Sequence, residues 1–130
     1  MTLDEYNAFC ASLPGTSHVV QWGGAHVWKV GGKVFAVARP EGEDIAVSFK
    51  VSEMAFRMLG EQPGLRPAPY LASRGLTWIQ RFRAESMDDA TLREYLTEAH
   101  RLMALQLSNA ARRTIGLPDK VRAANSRRLP

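Results

Sequence analysis

The chain has one cysteine, Cys10, which excludes an internal disulfide and any multi-cysteine zinc site. No apolar run approaches the roughly 20 residues that span a bilayer. The opening Met1-Thr2-Leu3-Asp4-Glu5 is acidic where a secretory signal is basic and then apolar, so a cytoplasmic address is expected. Histidine is scarce, and His18, His26 and His100 show no metal-ligand spacing. No serine or cysteine nucleophile has an evident base nearby in sequence, and no catalytic carboxylate pair stands out. Asp4-Glu5 and Asp88-Asp89 are explained by the positive ends of helix dipoles. The chain is therefore expected to carry no metal and no cofactor, and an enzyme is the least supported reading, left open only for residues that folding brings together.

A net charge of +4 points toward polyanions, but its distribution matters more. Residues 112–130 hold six basic groups, Arg112, Arg113, Lys120, Arg122, Arg127 and Arg128, against Asp119 alone, a net of +5. Residues 1–111 hold eleven basic and twelve acidic groups, a net of −1. The basic character belongs to the tail, and nucleic-acid contact by the body requires a local patch. At 130 residues the chain suits one core. The expected division is a single α+β domain over residues 1–117 and a basic, flexible tail over residues 118–130. A monomer is expected.

The clearest local signal is Val27-Trp28-Lys29-Val30-Gly31-Gly32-Lys33-Val34-Phe35-Ala36-Val37-Ala38. Two β-prone runs flank a Gly-Gly pair able to take the positive φ angles of a type I′ turn. This predicts a hairpin in which Val30 faces Lys33, Lys29 faces Val34 and Trp28 faces Phe35. Thr2 with Glu5 reads as a capping box opening a helix whose Tyr6, Phe9, Cys10 and Leu13 share an apolar face, with Pro14-Gly15 ending it. Strands are expected over residues 18–22, 25–30, 45–50 and 77–82. The third buries Ile45, Val47 and Phe49 on one face; the last places Trp78 and Gln80 opposite Ile79 and Arg81. Ser52 is the expected N-cap of a short helix with Met54 and Met58 in the core, and residues 65–72, broken by Pro67 and Pro69, are expected to form an ordered loop. Ser86 with Asp89 is expected to open a long amphipathic helix reaching about Thr114, with His100 as a hydrogen-bonded boundary residue. The resulting fold class is α+β: an antiparallel sheet covered by helices, with an N-terminal helix, β-hairpins and a long C-terminal helix.

Ser12-Leu13-Pro14-Gly15-Thr16, the hairpin from Trp28 to Ala36, Ser48-Phe49-Lys50, and Pro67-Ala68-Pro69-Tyr70-Leu71-Ala72 with Trp78 together resemble the MmcQ/YjbR family of small bacterial proteins. These elements spread over most of residues 1–107. The resemblance implies a compact α+β fold of the kind described as a double-wing DNA-binding motif, similar to the frataxin-like CyaY architecture. A DNA-binding expectation comes with that fold by analogy.

Two readings of function follow. In the first, Lys29 and Lys33 beside the hairpin tip, with Arg66, Arg74 and Arg81, contact nucleic-acid phosphates, Trp28 or Trp78 offers stacking area, and the basic tail adds polyanion affinity. In the alternative, Pro69 and Tyr70 of the Pro-rich loop, with Lys50 and Trp78, border a small-molecule or protein-binding pocket.

Overall fold

The computed structural model describes residues 1–71 and 74–121. The stretch 122–130 of the tail, like Ala72 of the Pro-rich loop, lies outside the described residues. The elements are α1 (Leu3–Ser12), β1 (Thr16–Gln21), β2 (Ala25–Val30), β3 (Lys33–Glu41), β4 (Asp44–Lys50), α2 (Glu53–Leu59), β5 (Leu65–Pro67), β6 (Trp78–Arg81), α3 (Asp89–Ala104) and α4 (Asn109–Thr114). One sheet of order β1-β2-β3-β4-β6-β5 contains every strand, and each neighbouring pair is antiparallel. β1 and β5 are its edges.

The helices cover one face. Tyr6 and Cys10 of α1 and Leu92, Leu96 and Ala99 of α3 pack with Val30, Phe35, Val47, Phe49 and Ile79 in the main core. At roughly 1.5–3 kcal/mol for each fully buried large apolar side chain, this layer dominates the fold's stability. The opposite face holds a smaller cluster of Ala25, Val27, Val37, Ala68 and Trp78. We call it the open face; no helix contributes to its cluster among the described residues, and Ala68 and Leu71 pack on it.

Local chemistry sets the helix starts. The Thr2–Glu5 capping box forms as expected, each side chain bonding the other's backbone N–H. Ser52 caps α2 through Ala55 N. α3 starts later than expected: Asp88, not Ser86, is the N-cap and accepts from Thr91 N. It also ends earlier. The chain turns at Leu105, and Ser108 caps a separate helix, α4, through Ala111 N. The periodicity that suggested one helix to Thr114 continues across this break, but the turn lets Leu107 and Ile115 join the main core. Met54 and Met58 are exposed, not core: α2 buries Ala55 and Leu59 instead.

The Gly31-Gly32 turn has φ of 54° and 80°, and Val30 faces Lys33 and Lys29 faces Val34 as the two-residue loop dictates. Beyond that point Trp28 faces Ala36, not Phe35, because the register shifts between Trp28 and Lys29. The extra residue is a β-bulge, which turns Phe35 and Ala36 together into the main core. Two further expectations are corrected. Central strand β4 is buried on both faces, Ala46 and Ser48 being as inaccessible as Ile45 and Val47. Within the expected 65–72 loop, Leu65–Pro67 pairs with β6 as an edge strand; an edge is where a proline is tolerated in a sheet.

Candidate functional site: a groove on the open face

The floor of the groove follows from sheet register. Val37 pairs with Ser48, Ser48 with Gln80, and Gln80 with Arg66. Cross-strand partners point to the same face, so one row runs from β3 to β5 and passes from apolar to polar to cationic. Strands about 4.8 Å apart put the ends of this row roughly 14 Å apart. The adjacent row pairs Arg39 with Ala46. Around these rows lies a groove of about 600 Å³, whose lining also includes Trp22 and Pro40 and, from the segment before β6, Pro69, Tyr70, Leu71 and Arg74.

Its cationic groups come from three separate elements: Arg39 from β3, Arg66 from β5 and Arg74 from the segment before β6. Arg39 Nη1 donates to the Trp22 carbonyl at 2.7 Å and so ties β3 to the β1–β2 turn. Arg66 Nε donates to Gln80 Oε1 at 2.7 Å, and its guanidinium lies 4.7 Å from the centre of the Phe82 ring. A guanidinium has five N–H donors. Arg39 and Arg66 are thus held in place with donors left for an anion. Glu41 is the one carboxylate in the lining.

Two aromatics complete the walls, and both stand on unusual backbone. Trp22 and Tyr70, at φ of 53° and 68°, are the only non-glycine residues with positive φ among those described. Large side chains in the left-handed region cost about 1–3 kcal/mol and persist where surrounding structure holds them. Both are largely exposed, Trp22 at 56% and Tyr70 at 85%. Both therefore present aromatic surface to solvent beside the groove's arginines.

The sequence-derived candidates distribute unevenly. Arg66, Arg74, Pro69 and Tyr70 all line the groove. Lys50 and Trp78 face each other across β4 and β6 but do not line it. Trp78 is buried in the small open-face cluster. Lys50 is half-buried and donates from Nζ to Thr77 Oγ1 at 2.8 Å; desolvation lowers its pKa, with Glu53 opposing. Lys29 and Lys33 flank the hairpin tip, where Gly31 lies against Leu107 and Ile115 and Gly32 faces open space. The shallow depression there has no charged residue in its lining. Arg81 is buried on the helix side, its Nη2 bonded to Asp89 Oδ1 at 2.8 Å, and Asp89 also receives the Met1 amino group. Trp28 lies under α1, with Nε1 donating to Asn7 Oδ1.

Trp22, Arg39, Ser48 and Gln80 were not singled out by the sequence. The available signal was the Gly23-Gly24 turn after Trp22; nothing local linked it to β5. The remaining titratable groups read as structural. Cys10 is buried, and desolvation pushes its thiol up to about 12, with the hydrogen bond from Tyr6 acting the other way. His100 is buried, its Nε2 lies 2.7 Å from the Pro14 carbonyl, and its ring meets Phe35 edge-on. Among the described residues no group of three or more His, Cys, Asp or Glu is placed to hold a metal ion. No helix there is long and apolar enough to cross a membrane.

Comparison with solved structures places the fold. A Deinococcus radiodurans protein, DR2400, described by its DUF419 domain, is similar with a TM-score of 0.78 at 20% identity, covering 96% of this chain and 95% of that one. A Pseudomonas syringae protein solved as a structural-genomics target is similar with a TM-score of 0.64 at 14% identity, covering 79% of this chain and 99% of that one. At such identities the likeness establishes architecture. No curated protein matches. The YjbR family model matches residues 11–102, a span running from the end of α1 through the sheet and most of α3, and the chain belongs to the YjbR family.

Proposed function

We propose that this protein binds nucleic acid through the open-face groove, taking an unpaired nucleotide with its base against Tyr70 or Trp22 and its phosphate among Arg39, Arg66 and Arg74. The observation that carries the reading is the convergence of three guanidinium groups and two exposed aromatics on one groove. Aromatic stacking with cationic contacts to the backbone is how single strands are held without sequence preference. The groove's volume lies in the range of pockets that enclose one ligand unit. Arg81 takes no part, being buried and paired with Asp89. Lys29, Lys33 and the basic tail serve as longer-range electrostatic attraction, which salt screens.

The test is fluorescence anisotropy with a labelled single strand and the matching duplex, at low and physiological salt, with a mononucleotide as competitor. The full chain is compared with Arg39→Ala/Arg66→Ala/Arg74→Ala and with Lys29→Ala/Lys33→Ala. The groove variant is expected to lose at least about tenfold in affinity for the single strand, and the lysine variant to change mainly the salt slope. Competition by the mononucleotide would indicate that the groove recognises the nucleotide unit by itself; competition only by oligonucleotide would require a strand. Single-strand binding unchanged in the groove variant would reject the reading.

A further inference from the structure

The two edges of the sheet are built differently. β5 is three residues long and contains Arg66 and Pro67, two of the devices that stop an edge from recruiting another strand. β1 has none of them. Its six residues, Thr16-Ser17-His18-Val19-Val20-Gln21, include no lysine, arginine, carboxylate, proline or glycine. No other strand of the described residues pairs with its outer side. Val20 is 52% exposed, and His18 is exposed while stacked on His26 and tilted against Trp28.

We propose that β1 is the docking edge for a second copy of this chain, the two β1 strands pairing antiparallel about a two-fold axis at Val19 and joining the two sheets into one. The geometry favours a copy of itself. Antiparallel partners must share a face, and an axis at Val19 places Val19 against Val19, His18 against Val20 and Ser17 against Gln21. Every pair matches in face, and no carboxylate, lysine or arginine meets another, as the same patch must allow when it supplies both sides of an isologous interface. The groups facing His18 are His26 on β2, with Asn7 of α1 beyond it. Burial and the neighbouring His26 lower the His18 pKa, which keeps the strand uncharged at neutral pH. Pairing uses the strand's edge and leaves Arg39, Arg66 and Arg74 on elements away from the seam, while the same register brings Thr16 of one copy opposite Trp22 of the other. One five-residue strand pair, Ser17–Gln21 of each copy, buries less than the roughly 1,200 Å² of a stable complex, so the association is expected to be reversible and concentration-dependent. It departs from the monomer expected from the sequence.

Sedimentation velocity on the full chain across a rising concentration series tests it. Wild type and Met58→Lys, a control at an exposed position on α2, are expected to shift from monomer toward dimer. Val20→Lys is expected to raise the dissociation constant at least about tenfold. Val19→Cys gives a second route. The native Cys10 is buried, so mild oxidation should yield a disulfide-linked dimer from this variant and none from wild type. A wild type that stays monomeric throughout would overturn the proposal, as would a dimer untouched by Val20→Lys. If Val20→Lys fails to fold, as judged by circular dichroism, the cross-link decides: its formation in proportion to dimer supports the edge, and its absence rejects it.

Discussion

The two faces of the sheet do different work with the same strands. The helix-covered face is mostly apolar, with buried Arg81 paired to Asp89 at its margin: Phe35, Val47, Phe49 and Ile79 pack in the main core with α1 and α3, with no accessible surface left. The open face interleaves a small apolar cluster with Ser48, Gln80, Arg39 and Arg66 and is roofed in part by an irregular segment. The helix-covered face buries the larger apolar cluster, and the other buries a smaller one beside a row of polar and cationic side chains. Strain follows the same division, since both non-glycine residues with positive φ border the open-face groove.

That contrast predicts a ranking of effects. Phe49→Ala, which removes a fully buried ring between the sheet and Tyr95 of α3, should cost about 3–5 kcal/mol in urea unfolding. Trp22→Ala on the opposite face should cost no more than about 0.5 kcal/mol, as for most surface changes; equal losses would abolish the distinction. Next is Gly31→Ala at the hairpin tip. The residue sits at φ +54°, and an added Cβ would lie 2.5 Å from Leu107 Cδ1, so a loss of about 1–3 kcal/mol is expected, read as a lower denaturation midpoint with an unchanged slope. The triple arginine substitution in the groove should invert the pattern. Its stability change should be small, each exposed arginine counting for about 0.5 kcal/mol or less, while single-strand affinity falls at least about tenfold.

The smallest effect is a pH dependence from the helix-covered side. Desolvation lowers the His100 pKa below its ordinary 6.5, with the hydrogen bond to Pro14 opposing and Arg112 assisting. The folded state therefore takes up its proton at lower pH than the unfolded state. The stability His100 contributes is complete above about 6.5 and is lost as pH falls from there through the folded value. Urea midpoints between pH 7.5 and 5.5 should drop less in His100→Gln than in wild type. An equal drop in both would assign the dependence to other groups, such as His18, whose pKa is lowered in the same direction.

How much of this was legible in the sequence differs by element. Gly31-Gly32, the Thr2–Glu5 capping box, Ser52 as a cap, the alternation along β6 and the hydrogen-bonded His100 all rest on interactions within a few residues or on one side chain's polarity, and each reads directly. The bulge that separates Trp28 from Phe35, the turn that divides α3 from α4 and the burial of Ser48 depend on what lies across the sheet. For the site, Arg66, Arg74, Pro69 and Tyr70 were singled out from local composition, but split between two rival readings. The groove unites them.

What the sequence determined by itself was the α+β class, the tight turn, the helix caps and the separation of a near-neutral body from a basic tail, because nearest-neighbour sterics, hydrogen bonding and charge count suffice for these. What only the tertiary structure decided was the row from Val37 through Ser48 and Gln80 to Arg66 and the approach of Arg39 and Trp22 to it. Those residues are tens of positions apart in the chain. Strand order and register bring them together, and these are fixed by burying the other face against α1 and α3.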